Sequence, residues 1–149
     1  MKIVTLAAGL SLLCASAAQA ADRTPEQVVK DHVASMKTAN VDAVMADYAA
    51  DTVVITPPGL VPSQVPATGP GVYSGIANAR KVFVVLTGSG SIAGIRSMET
   101  TVEPLGGDVA LLHWIQFRGT PQQVSGTDVF VVRRGKVAVQ DIIVDAPAH

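Results

Sequence analysis

Asp108-Val109-Ala110-Leu111-Leu112-His113-Trp114-Ile115-Gln116-Phe117-Arg118, a break at Gly119-Thr120-Pro121, then Val124 to Arg134, a tight turn at Gly135, and Lys136 to Asp145: this stretch decides the fold. Its three long runs are rich in Val, Ile and aromatic residues and are closed by Gly or Pro, which predicts consecutive antiparallel strands of one meander. Side chains alternate along a strand, so Leu111, His113, Ile115 and Phe117 share one face, and Leu112, Trp114, Gln116 and Arg118 the other. On the next strand Gly126, Asp128, Phe130 and Val132 fall together. Both faces are largely apolar. A sheet covered by helices on one side alone would show a polar outer face, so the outer face is expected to meet a second copy of the chain, with a wrapped-over loop as the competing explanation. His113 and Asp128 are the polar residues that interrupt these runs, and the functional reading rests on them.

Outward from this meander toward the N-terminus, Thr24-Pro25-Glu26-Gln27 supplies an N-cap, a proline at the first helical position and a Gln three residues after the cap. Val28, Val29, Val33 and Met36 then recur at helical spacing. His32 lies four residues after Val28 and four before Met36, on the same stripe, so it should point inward, either as a core histidine satisfied by a neighbour or as a functional one. Asn40 can cap a second helix carrying Val41, Val44, Met45 and Tyr48, ending at Ala49-Ala50-Asp51. Thr52 to Thr56 is a β-branched run and reads as a strand, cut off by Pro57-Pro58-Gly59. From Pro57 to Tyr73 five prolines and three glycines without hydrophobic periodicity suit an ordered surface loop, a lid or an insertion. Ser74 is placed to cap a third helix with Ile76, Ala79, Val82, Phe83 and Leu86 as its buried stripe, stopped by Gly88. After a Gly88-Ser89-Gly90-Ser91 connector, Ile92 to Glu103 alternates as a half-exposed strand. Helices followed by a run of strands make an α+β domain, with the helices packed on one antiparallel sheet.

Residues 1–20 read as a secretory leader: Lys2, an apolar core from Ile3 to Ala15, and an Ala18-Gln19-Ala20 cleavage pattern. That leaves 21–149 as a single exported domain with its own core, periplasmic or secreted. No later segment is long and apolar enough to suggest a membrane anchor. The sole cysteine, Cys14, lies in the leader, so no disulfide is expected; Leu13 before it is not the small residue of a lipoprotein signal. The formal net charge of −1 becomes one unit more negative without Lys2, and Arg133-Arg134-Lys136 is the one basic cluster, which argues against a nucleic-acid partner.

The helix phrase Thr24 to Asn40, the phrase Tyr48 to Gly59, Tyr73-Ser74-Gly75-Ile76, Thr127-Asp128-Val129-Phe130 and Gly135-Lys136-Val137 together resemble the nuclear-transport-factor-2-like superfamily, nearest its ketosteroid-isomerase and polyketide-cyclase (SnoaL-like) branches. The resemblance covers nearly the whole of 21–149. It implies a cone-shaped α+β barrel, a curved sheet and three helices around one apolar cavity, commonly a dimer through the outer sheet face. It implies further that Asp128 stands for the buried carboxylic acid that meets an enolate oxygen in the isomerases. His32 stands at the position of their oxyanion-hole tyrosine, and Thr56 at that of their aspartate base. Polyketide cyclases pair a strand histidine with an aspartate on the following strand, as His113 and Asp128 would be.

The expected site therefore joins Asp128, His32 and His113 as proton-handling groups, with Tyr48, Thr56, Phe83, Ile115, Phe117, Phe130 and Gln140 as contacts to a small apolar carbonyl or phenolic compound. Asp128 or His113 would act as base and His32 as donor to the oxygen that gains charge. No cofactor is expected. His32, His113 and Asp128 would make a three-ligand metal set, but neither H-x-x-x-H nor H-E-x-x-H spacing occurs and His149 sits at the terminus, so no metal is expected either. Isomerase, cyclase and lyase or dehydratase steps share this chemistry. The rival from another class is a noncatalytic ligand-binding module, and a third reading is a domain that only dimerises.

Overall fold

The computed structural model describes residues 23–145; the expected leader at 1–20 and His149 lie outside the described residues. Helix α1 (Pro25–Lys37) starts on a complete capping box: Thr24 Oγ1 accepts from Gln27 N (3.2 Å) and Gln27 Oε1 accepts from Thr24 N (2.8 Å). Its buried stripe is Val28, Val29, His32, Val33 and Met36, as the spacing predicts. Asn40 caps α2 (Val41–Ala46) by accepting from Ala43 N. This helix stops earlier than expected, because strand β1 (Tyr48–Ile55) already begins at Tyr48. Ala49-Ala50 favours helix locally, but Tyr48 pairs with Val137 and the Val137 amide donates to the Asp47 carbonyl, so sheet pairing overrides propensity.

The proline-rich segment ends in a short strand, β2 (Val72–Ser74), antiparallel to β1. Ser74 belongs to that strand, and Gly75 (φ +82°), not Ser74, occupies the N-cap of α3 (Ile76–Leu86). The Gly75 amide donates to the Thr52 carbonyl at 2.7 Å, which leaves the turn into the helix to a residue free to adopt positive φ. The expected strand over Ile92 to Glu103 divides. Ile92–Ser97 is a helix, α4, and β3 (Glu99–Gly106) starts after it. Ile92 and Ile95, one helical turn apart, pack against the core, and Gly94 is buried beside Gln116 and Phe117 where a larger residue would collide. Tertiary contact outweighs the β-branched composition here.

β4 (Val109–Gln116), β5 (Val124–Arg133) and β6 (Lys136–Val144) form the expected antiparallel meander. The whole sheet has six strands in the order β2-β1-β6-β5-β4-β3. β1 runs parallel to β6, so the sheet is mixed rather than wholly antiparallel; it is curved and not closed into a barrel, and the described residues hold four helices rather than three. Helix α1 crosses the face of β3, β4 and β5, α3 covers β1 and β2, and α4 packs on β4. The core lies between these helices and one sheet face.

Candidate functional site

Hydrogen-bonded register decides which strand residues meet. Leu112 lies opposite Asp128 and His113 opposite Thr127. Directly paired residues share a face, so Asp128 points toward the helices with Ala110, Leu112, Trp114 and Phe130, while His113 points away from them. A bulge then changes the parity of β6: Val131 pairs with Val139 but Val132 with Val137, leaving Ala138 as the extra residue. Val137 and Gln140 therefore both face inward.

These placements enclose a cavity beneath α1, lined among others by His32, Phe83, Leu112, Trp114, Gln116, Asp128, Gln140 and Ile142, with Leu60 contributed by the proline-rich segment. About 60 Å³ of it is open to the centre of a water-sized sphere. At about 10–15 Å³ per water on that measure, it has room for roughly four to six waters, or one small ring. Its walls are mostly apolar. Apart from Gln116, the polar lining groups are joined in one connected chain that runs through Tyr48. Trp114 Nε1 donates to Asp128 Oδ1 (2.8 Å), Gln140 Nε2 donates to Asp128 Oδ2 (2.7 Å), and the Tyr48 hydroxyl donates to Gln140 Oε1. The Tyr48 oxygen also lies 3.3 Å from His32 Nδ1. The His32 ring stands edge-on to Tyr48, Phe83 and Phe130, with centroids 5.6, 5.5 and 5.4 Å away.

Burial sets the charges. Desolvation pushes the Asp128 carboxyl up to about 7, held back by the hydrogen bonds from Trp114 and Gln140 and assisted by the nearby Asp141 charge. Desolvation alone lowers His32 to about 3, so its imidazole is neutral at physiological pH. The Tyr48 hydroxyl is raised by burial and by the Asp128 and Asp47 charges, and stays protonated. The arrangement offers one carboxyl able to exchange a proton near neutrality, and a neutral imidazole in contact with it only through Tyr48 and Gln140.

Of the expected site residues, His32, Tyr48, Phe83, Asp128, Phe130 and Gln140 come together here. Others do not. His113 sits on the outer face with Nδ1 3.1 Å from Thr127 Oγ1 and Nε2 3.0 Å from Glu103 Oε2, its side chain 44% exposed. The expected His113–Asp128 pair and the three-ligand set with His32 are therefore not formed. A shift of one residue in strand register moves a side chain to the other face, and alternation within each strand leaves that register open. Ile115 shares the outer face, opposite Ser125 and Glu99. Phe117 follows the strand with φ +51° and lies against Gly94 outside the cavity lining. Thr56 is buried at the end of β1, its amide donating to the Gly71 carbonyl, away from the cavity.

Strand alternation groups Leu112, Trp114 and Gln116 on one face of β4 without saying that this face turns to the cavity; the structure turns it inward. A signal was present: Trp114 pairs with Gly126, and a side chain at Gly126 would overlap the indole and the Ile143 carbonyl. A glycine inside an otherwise β-branched strand marks a close approach by a neighbour. Gln116 follows Trp114 on the same strand face and Met36 the His32 stripe, whereas Leu60 and Met98 line the cavity without an advance signal.

No family model matches this chain, and no curated protein matches it in sequence. Solved structures match it in shape. An NTF-2-like protein of unknown function from Burkholderia xenovorans LB400 is 14% identical, with 84% of this chain and 85% of that chain covered and a TM-score of 0.62. TerC, co-crystallized with polyporic acid, is 16% identical over 82% of this chain and 92% of that chain, with a TM-score of 0.59. A protein with a cystatin-like fold from Methylobium petroleophilum PM1 is 14% identical over 84% and 78%, with a TM-score of 0.57. The chain thus has the nuclear-transport-factor-2-like fold, as the sequence motifs imply.

Proposed function

We propose that this chain is an exported domain that binds a small, largely apolar molecule in the cavity beneath α1 and performs cofactor-independent acid-base chemistry on it, of the isomerase, cyclase or lyase type. One observation carries the reading: a single carboxyl, Asp128, stands in an apolar chamber with its proton affinity raised to about 7. Asp128 is the proton-exchanging group, with neutral His32 beside the same chamber. His113 has no part in it. TerC, a protein of the same fold, was co-crystallized with polyporic acid, so a small organic ligand is in keeping with the fold.

A noncatalytic binder is the second reading, favoured by Thr56, which supplies no carboxylate and lies outside the cavity. To separate the two, the protein is incubated with a metabolite extract, washed, and its retained molecules identified by mass spectrometry, for wild type and Asp128→Asn. Different compounds on the two proteins, precursor on the variant and product on wild type, are expected for an enzyme. The same compound on both removes the catalytic assignment. The half-buried outer face, with Leu111, Ile115, Val129, Val131 and Val139 beside the 45% exposed Ile143, supports a homodimer through that face. Sedimentation equilibrium of wild type and Ile143→Asp tests this, with a monomeric wild type as the refuting result.

A further inference from the structure

We propose that the cavity selects a ligand that presents a hydrogen-bond donor, a ring hydroxyl of the phenol class, rather than a carbonyl acceptor. This deepens the small-molecule reading and rests on it. The direction of every hydrogen bond in the inner chain follows from its carboxylate end. Above about pH 7 Asp128 is a carboxylate and only accepts, so both groups that touch it must donate. Trp114 Nε1 is a donor in any case. Gln140 must turn its amide nitrogen to Asp128 Oδ2, which presents its Oε1 to Tyr48. The one phenolic hydrogen of Tyr48 is consumed there. Its oxygen is left as an acceptor, so the 3.3 Å contact with His32 is satisfied only when Nδ1 carries the imidazole proton.

His32 Nε2 is then a bare lone pair. Among the described residues no fully buried side-chain nitrogen or oxygen lacks a partner, and His32 Nε2 has none, so Nε2 opens on the cavity that His32 lines. The inner end of the chamber thus offers acceptors, His32 Nε2 and the remaining Asp128 lone pairs, while the Trp114 N–H, the Tyr48 O–H and one of the two Gln140 N–H groups are spent inside the network. Gln116, the other polar lining residue, stands toward Met98 with its amide nitrogen 3.7 Å from the sulfur. A ligand carbonyl would meet the lone pairs of His32 Nε2 and Asp128 at the inner end. A ring hydroxyl donates to them and leaves its apolar body on Phe83, Leu112 and Ile142.

The network also reverses as a unit. With Asn in place of Asp128, the Asn amide nitrogen can donate to a turned Gln140, whose nitrogen donates to Tyr48, whose hydroxyl donates to His32 Nδ1; the imidazole proton then sits on Nε2 and points into the cavity. Imidazole ¹⁵N spectra at pH 8 read this directly, with three histidines in the whole chain to resolve. Expected are a non-protonated Nε2 on His32 in wild type and a protonated Nε2 in Asp128→Asn. A protonated Nε2 in wild type overturns the proposal. Calorimetric titration of the wild-type chain with phenol, toluene and benzaldehyde at pH 8 supplies the binding arm. Phenol is expected to bind at least tenfold more tightly than benzaldehyde and more tightly than isosteric toluene, with the gap to benzaldehyde closing in Asp128→Asn. Toluene or benzaldehyde matching phenol on wild type overturns the donor selectivity while the cavity reading stands. Binding of none of the three removes the small-molecule reading and this one with it.

Discussion

Asp128→Asn is expected to add a pH dependence to folding rather than to remove one. In the folded chain the Asp128 carboxyl is pushed from 3.8 to about 7, so between those values the folded state holds a proton that the unfolded state has released. Stability contributed by this group falls as pH rises, by about 1.4 kcal/mol per pH unit and roughly 4 kcal/mol across the window, and is level below and above it. His32 acts in the opposite sense. Its folded value is lowered from 6.5 to about 3, so over that range the unfolded chain binds a proton that the folded chain refuses, and stability rises with pH at the same slope. The two slopes cancel from about pH 4 to 6.5 in wild type. Asp128→Asn leaves the His32 rise alone, about 3 kcal/mol over that interval by the same slope. Urea unfolding at half-unit steps from pH 4 to 8.5, followed by the fluorescence of Trp114, the single tryptophan, measures both curves. Groups common to the two proteins drop out of the difference, which should move by roughly 4 kcal/mol in favour of the variant between pH 4 and 7. Parallel curves would show that Asp128 titrates alike in folded and unfolded chains, and the buried carboxyl at the centre of the site would be refuted.

Tyr48→Phe removes the hydroxyl between Gln140 and His32 and leaves Gln140 Oε1 and His32 Nδ1 unpaired in the interior, a loss of about 2–3 kcal/mol in urea unfolding; an unchanged midpoint would mean that these bonds contribute nothing. Gly126→Ala sets a methyl group against the Trp114 indole and the Ile143 carbonyl, and should cost about 1–3 kcal/mol and weaken retention of the bound molecule by displacing Trp114 from Asp128. Full stability with full retention would show that the indole position is immaterial. His113→Ala is expected to alter stability by no more than about 1 kcal/mol, its Glu103 partner being exposed, and to leave the retained molecule unchanged. A lost ligand in that variant would bring the outer face into the function.

Where structure is decided by neighbours in sequence, it was legible. Thr24-Pro25-Glu26-Gln27 defines the start of α1, the 3.6-residue spacing turns His32 inward, and the Gly and Pro breaks divide β4, β5 and β6. Where structure is decided across the sheet, it was not. Ala49 to Asp51 are drawn into β1 by a parallel partner 89 positions away from Tyr48, at Val137. The β-branched residues of Ile92 to Ser97 form a helix because α1 and β4 offer them a surface. The candidate site suffered most, since the parity of β4 against β5 separates His113 from Asp128, and the β6 bulge carries Gln140 inward.

Two residues without reactive groups therefore control what Asp128 can do. Gly126 leaves space for the Trp114 indole, and Ala138, as the bulged residue, turns Gln140 to the same face. Each supplies one of the two donors to the carboxylate. Without them, a carboxylate in this chamber would meet desolvation unopposed and would remain the neutral acid well above pH 7. With both, its proton affinity rests near neutrality, where small changes in the ligand's own acidity decide which partner holds the proton. The same pair of donors, by turning the Trp114 N–H and one Gln140 N–H to the carboxylate, fixes the hydrogen-bond direction that leaves His32 Nε2 an acceptor facing the ligand. Proton affinity and ligand polarity are thus set together, by a glycine and a bulge in the strands that flank the acid.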